Sequence, residues 1–366
     1  MKIIYLIGII ISLFLFLLLV LKRRKPKHED ILTWWIGTLA VHQILVYFHQ
    51  TGQIYLYPHM LGVEFSLPLA QGVFHFFYVS EITRPGSLGL KKQAAHLLPM
   101  LMLILLAIPF YSLSGAEKIS VYGRDGEGYA FYNLLRLFLI VGLGLGYAIY
   151  SLVLIRRHQR NVQQLYSNTE GKNLRWLQYL SVGLGGIWLL VIFSSDTVIF
   201  AGVAFLVLFI GFFGINQIPI FYSMEPVYVR EEAEIPSPPI QDLPVRYAKS
   251  GLKEQDVDRI YAELRRIMEQ EQLYLNSDLS LTELASRLDI HPNYLSQVIN
   301  KQSQKNFYHY INTLRVEEFI RQASVPERRQ RHTFLAIALE CGFNSKSTFN
   351  KYFRQYTGKS PSQFFH

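Results

Sequence analysis

A single cysteine, Cys341, is present in 366 residues. No intrachain disulfide and no cysteine-rich metal site can be built from it, which suits a reducing compartment for the segment that carries it. Charge is scarce as well: 17% of the residues are charged, while 50% are hydrophobic. That balance is too apolar for an ordinary soluble chain of this length and points to a membrane portion. Long polar loops are missing from residues 1–222. The longest on the outer side runs from about Ser114 to Gly128, too short for an extracytoplasmic sensor domain. The apolar segments also lack an HExxH, paired carboxylates and a nucleophile beside a base. No enzyme and no cofactor is therefore expected. A membrane transporter or enzyme with a regulatory tail is the alternative, and the segments offer it little polar equipment.

The membrane portion reads as seven spans. Ile3–Leu21 is an unbroken apolar run, and at about 1.5 Å per residue it crosses a hydrocarbon core of about 30 Å. Its basic cluster follows the run rather than precedes it, which fits a retained helix better than a signal peptide. Further apolar segments lie at about 31–48, 60–80, 96–113, 131–155, 176–193 and 197–220. The connecting segments alternate in charge. Lys22, Arg23, Arg24, Lys25 and Lys27, then Arg84, Lys91 and Lys92, then Arg156, Arg157, Arg160, Lys172 and Arg175 fall on one side; Lys2, Lys118 and Arg124 fall on the other. Positive residues mark the cytoplasmic side, so the reading is a multi-pass inner (cytoplasmic) membrane protein with its N-terminus outside and its C-terminus in the cytoplasm.

Several polar residues lie within these spans. Glu64 and Arg136, near the outer ends of the third and fifth spans, are the candidate intramembrane sensor residues and could pair; the alternative is that both reach to the interface. His42 and His75 read as inter-helix hydrogen-bonding groups rather than metal ligands. The glycines of 142–146 and 183–186 read as close-packing faces. Pro68 reads as a kink in the third span.

Residues 223–250 carry five prolines and an acidic run, Glu231, Glu232 and Glu234, the composition of an extended linker. Residues 251–275 follow as a connecting helix with an apolar stripe from Val257 to Met268, expected to pack onto the next domain, with a short dimer coil as the alternative. Residues 276–366 hold 12 Lys and Arg against 7 Asp and Glu. They repeat one design twice. A short amphipathic helix, a break and a second helix with one apolar face occur at Leu279–Lys301 and again at Thr333–Phe353. The breaks fall at Asp289–Pro292 and Gly342–Asn344, and Gly342 is expected in a left-handed conformation. The opposite faces of the second helices are short, polar and neutral or basic. Such residues can hydrogen-bond base edges in a major groove wide enough for a helix.

The stretch FNSKSTFNKYFRQYTGKSPSQF, Phe343–Phe364, resembles the signature of the AraC/XylS-type transcription regulators, and ELASRLDIHPNYLSQVIN resembles their first helix-turn-helix. The resemblance covers roughly the last quarter of the chain. It implies two recognition helices in successive major-groove segments, joined by a linker helix at about Asn306–Ala323 with Arg315 and Arg321 outside its core stripe. The base-contacting residues it implies are Asn293, Ser296 and Gln297, then Lys346, Ser347, Asn350 and Lys351. Lys301, Lys305, Arg328, Arg329 and Arg331 are the candidate phosphate contacts. The expected architecture is all-α: a seven-helix transmembrane bundle followed by a cytoplasmic domain with two helix-turn-helix units. The expected partners are promoter DNA and the lipid bilayer, with RNA polymerase and a second copy of the chain as further candidates and the signal unknown.

Overall fold

The structure, a computed structural model, describes residues 2–23, 25–216 and 254–365. The expected linker, 223–250, and the last residues of the seventh expected span lie outside them. The described residues form helices and turns, with no strand and one isolated bridge, Tyr166 to Ser280. The chain divides into two compact units: Met1–His158 with Leu174–Ser223, and Gln159–Asn173 with Met224–His366.

The first unit is built from α1 (Lys2–Leu21), α2 (Lys27–Gln50), α3 (Leu67–Thr83), α4 (Leu90–Leu106), two short helices α5 (Ile108–Tyr111) and α6 (Gly115–Gly123), most of α7 (Ala130–Leu165), α8 (Arg175–Phe193) and α9 (Asp196–Asn216). Five of these, α1, α2, α7, α8 and α9, are long and apolar enough to cross a membrane. The other two expected spans are shorter helices, α3 and α4, of 17 residues each. Local sequence explains both. Gly62 takes φ +89° and a series of tight turns occupies residues 53–65, so α3 starts only at Leu67. Pro68 sits in its first turn, where a missing N–H costs nothing. It therefore starts α3 rather than kinking it; the proline inside a helix is Pro99 of α4.

Helix ends in this unit are tied by polar contacts. Lys22 reaches Glu29 at 2.8 Å, and Lys27 reaches Glu81 at 3.4 Å. These join the end of α1, the start of α2 and the end of α3. At the other end of α2, Gln50 donates to Asp196, the first residue of α9, at 2.8 Å. His75, fully buried, bonds Ser181 of α8 at 3.0 Å, the inter-helix role expected of it. Of the glycine runs, Gly144 is the tightest site: a Cβ there would lie 2.5 Å from the Trp188 ring.

The second unit is built from α10 (Glu254–Glu271), α11 (Leu281–Arg287), α12 (Pro292–Ser303), α13 (Phe307–Ala323), α14 (Pro326–Arg331), α15 (Phe334–Glu340), α16 (Lys346–Thr357) and α17 (Pro361–Phe365). It has two apolar clusters. One gathers Leu264 and Met268 of α10 with Leu284, Leu295, Ile299 and Ile311. The other gathers Val316 and Phe319 of α13 with Ile337, Cys341, Phe349 and Phe353. The long α13 serves both, as expected of a linker helix. The stripe of α10 is buried within the chain, and Lys301 and Gln302 of α12 bond Glu254 and Asp258.

Candidate nucleic-acid interface

Each helix-turn-helix is set by local chemistry. In the first, Ser280 caps α11, its hydroxyl accepting from the Glu283 N–H at 3.1 Å. The turn places Asp289 at φ +53°, where a short polar residue tolerates the left-handed region. His291 then caps α12 and Pro292 occupies its first turn. Leu295, Val298 and Ile299 are fully buried. The opposite face carries Asn293, exposed, with Ser296 and Gln297 half-buried. Tyr294, 42% exposed beside Asn293, was not singled out in the sequence because an aromatic residue reads as core.

In the second, Thr333 caps α15 and Ser345 caps α16. Gly342 has φ +89°, and a Cβ there would lie 2.6 Å from the Tyr274 carbonyl oxygen and 2.9 Å from Nε of Arg315. Only glycine fits. Phe349, Tyr352 and Phe353 are buried. Lys346, Ser347, Asn350 and Lys351 are all exposed, and Arg354 continues the basic face by one turn. The Ser347 hydroxyl lies 3.1 Å from that of Ser345. The second helices of the two units therefore differ: α16 presents cations, while the corresponding face of α12 is neutral.

The candidate phosphate contacts are mostly engaged inside the fold. Lys301 pairs with Glu254 at 3.2 Å, and Lys305 bonds Thr313 at 2.9 Å. Arg328 pairs with Glu340, and Arg329 bonds the Phe365 carbonyl at 3.3 Å and lies over its ring. Arg331 is exposed.

The helix-turn-helix domain family matches residues 284–366. The chain ends in an AraC-type helix-turn-helix domain. Uncharacterized HTH-type transcriptional regulators of Staphylococcus aureus, from strains COL, MSSA476 and N315, are each 30% identical over 93 residues, 25% of this chain. The aligned stretch covers only 12% of those relatives' length. No solved structure matches significantly.

Within the AraC-type domain one residue departs sharply from the sequence reading. Arg315, expected outside the core stripe of α13, is 1% exposed. Its guanidinium donates to the carbonyls of Tyr274 at 2.7 Å, Asn276 at 2.8 Å and Ser167 at 3.2 Å, to the Ser167 hydroxyl at 3.1 Å and to the Asn312 side chain at 3.3 Å. Burial lowers its pKa to about 10, so it stays charged at neutral pH. Ser167 belongs to the segment between α7 and α8. That segment also pairs its Ser167 N–H with the Leu279 carbonyl at 3.1 Å and its Asn168 amide with Asp278 at 3.3 Å. Leu165 packs on the first apolar cluster. Residues 159–173, which the sequence places within the membrane region, belong to the compact unit that holds the helix-turn-helix domain, with Ser167 in its interior.

The candidate sensor residues do not pair with each other. Glu64, 5% exposed, accepts from the Tyr122 hydroxyl at 3.0 Å and lies 3.4 Å from Nδ1 of His49. Arg136 lies over the Phe65 ring, 3.9 Å from its centroid. The pairing failed because Glu64 sits in a tight turn, where Tyr122 of α6 reaches it first. Both residues nevertheless line one cavity of about 350 Å³.

Proposed function

We propose that the chain is a membrane-embedded transcription regulator that carries a signal from its apolar helices to promoter DNA. The AraC-type domain inserts α12 and α16 in successive segments of the major groove. Asn293, Ser296, Gln297, Lys346, Ser347, Asn350 and Lys351 face the bases, and Arg331 is the phosphate contact least committed to the protein itself. The remaining chain spans the inner membrane seven times, N-terminus outside. The ion pairs Lys22–Glu29 and Lys27–Glu81, gathered at one end of α1, α2 and α3, support the alternation, as does the Gln50–Asp196 bond at the opposite end of α2.

The single observation that carries the coupling is the placement of residues 159–173. In sequence they connect two apolar helices. In space they complete the hydrogen bonding of Arg315, which also closes on the Gly342 turn of the second helix-turn-helix. A shift of this segment changes the partners of a buried cation, and unsatisfied buried donors cost about 1–3 kcal/mol each. The connecting helix α10 packs on α12, in line with the expectation that its stripe faces the next domain.

Crosslinking of the intact protein to chromosomal DNA, recovered from the membrane fraction, tests this reading. Enrichment of a few promoters is expected. Loss of every enriched site, in all growth conditions and with the protein present on a blot, would sink it.

A further inference from the structure

The signal itself has a physical trace in the first unit. The cavity of about 350 Å³ lies among α2, α3, α7, α8 and α9 and falls in the range of small-molecule sites. Its walls are largely apolar, Leu184, Ile187, Phe200 and Leu206 among them. Three of its lining residues carry buried polar atoms without a hydrogen-bond partner in the structure: Nε2 of Gln71, Nε1 of Trp188 and Oε2 of Glu64. These residues are 5%, 4% and 5% exposed. Unpaired buried polar groups are costly and rare in native proteins, so the two donors, on α3 and α8, ask for an acceptor, while Glu64 already accepts from Tyr122 through its other oxygen. Arg136 adds a guanidinium held over Phe65 with no hydrogen bond to a described residue. A second cavity of about 410 Å³, lined by Tyr111, Tyr122, Tyr129 and Tyr132, shares His49, Phe65 and Arg136 with the first.

The balance of these groups defines the ligand. Among the buried lining atoms without a partner, donors outnumber acceptors: Nε2 of Gln71 and Nε1 of Trp188 against the one free oxygen of Glu64. Charge runs the other way, with Glu64 and Asp196 against Arg136 among the fixed charges of the lining. An anionic head would meet two carboxylates, and a cationic head would meet the two donors. We infer that the cavity binds an uncharged, mostly apolar molecule with a carbonyl head: the carbonyl accepts from Trp188 and Gln71, and the apolar body lies along α8 and α9. This deepens the proposed function by naming the chemical class of its signal, and it rests on that reading only for the word signal.

The test is photolabelling of the full-length protein in lipid nanodiscs with a ten-carbon methyl ketone bearing a terminal diazirine, mapped by mass spectrometry. Competitors are decan-2-one, decanoate, decylamine and decane. Label is expected on α8 and α9 residues of the cavity, reduced at least tenfold by excess decan-2-one and little by the other three. Trp188→Phe and Gln71→Leu are expected to weaken the competition by tenfold or more; the competition series on the unaltered protein stands even where a variant fails to fold. Equal competition by decane would mean a slot for hydrocarbon alone. Stronger competition by decanoate or decylamine would mean that the head is charged. Label spread over exposed residues such as Phe205 and Phe212 would mean no site. Each of these overturns the inference. DNA plays no part in the readout, so specific labelling without any effect of the ketone on promoter crosslinking would retire the signalling role and leave the binding site standing.

Discussion

Lys346 and Asn350 flank Phe349 on α16, yet the first two are exposed and the third is 2% exposed. One helical turn thus separates two kinds of consequence. Replacing Lys346 and Asn350 together by Ala should lower affinity for a specific promoter fragment by at least tenfold, since a good base contact is worth about 1–3 kcal/mol. The unfolding temperature should not move. Unchanged affinity in a gel-retention titration would take α16 out of the interface. Phe349→Ala should instead destabilise its helix-turn-helix by about 3–5 kcal/mol. The chain carries its own reporter for this. Cys341 is fully buried in the same cluster, and burial, with Glu318 and Glu340 nearby, pushes its thiol up to about 12. A maleimide should therefore label the native chain only through opening of this unit. Phe349→Ala should speed that labelling strongly; a native rate would mean that Phe349 bears little of the packing.

At the level of elements, what is local was legible and what is long-range was not. The faces of α12 and α16 follow from spacing alone, and Gly342 from the need for positive φ. Arg315 was not legible. Its neighbours Leu314 and Val316 mark α13 as a core helix, but α13 buries polar residues too, Asn312, Glu318 and Gln322 among them. Which cation goes inward depends on carbonyls at 167 and 274–277, which no periodicity reveals. Glu64 failed for the same reason, as Tyr122 is 58 residues away. The start of α3 shows the local counterpart: Pro68 could be read either as a kink or as a first-turn residue, and the turns before it decide. Arg315→Met should remove the guanidinium donors from the Ser167 and Tyr274 carbonyls at once. Hydrogen exchange should then rise together in residues 166–168 and 274–280. A rise in one stretch only would show that they do not open as a unit.

For the whole molecule, sidedness is the decisive quantity, because α3 and α4 are short of the usual 20-residue span. Buried Cys341 leaves a quiet background for introduced thiols. A membrane-impermeant maleimide should label Ser120→Cys on intact cells and Arg160→Cys only after permeabilisation; both positions are exposed. The reverse pattern would invert the topology and strand the AraC-type domain away from DNA. The placement of residues 159–173 bears on another matter. A protease that cut the chain between residues 217 and 253 would sever one tether of the domain but not the second. The domain would stay fastened through Arg315 and Ser167 to a loop anchored at both its ends by α7 and α8. Liberating it takes disengagement of that buried arginine as well as the cut, and a fragment so liberated would keep the Tyr274, Asn276 and Asn312 partners of Arg315 while losing those on Ser167.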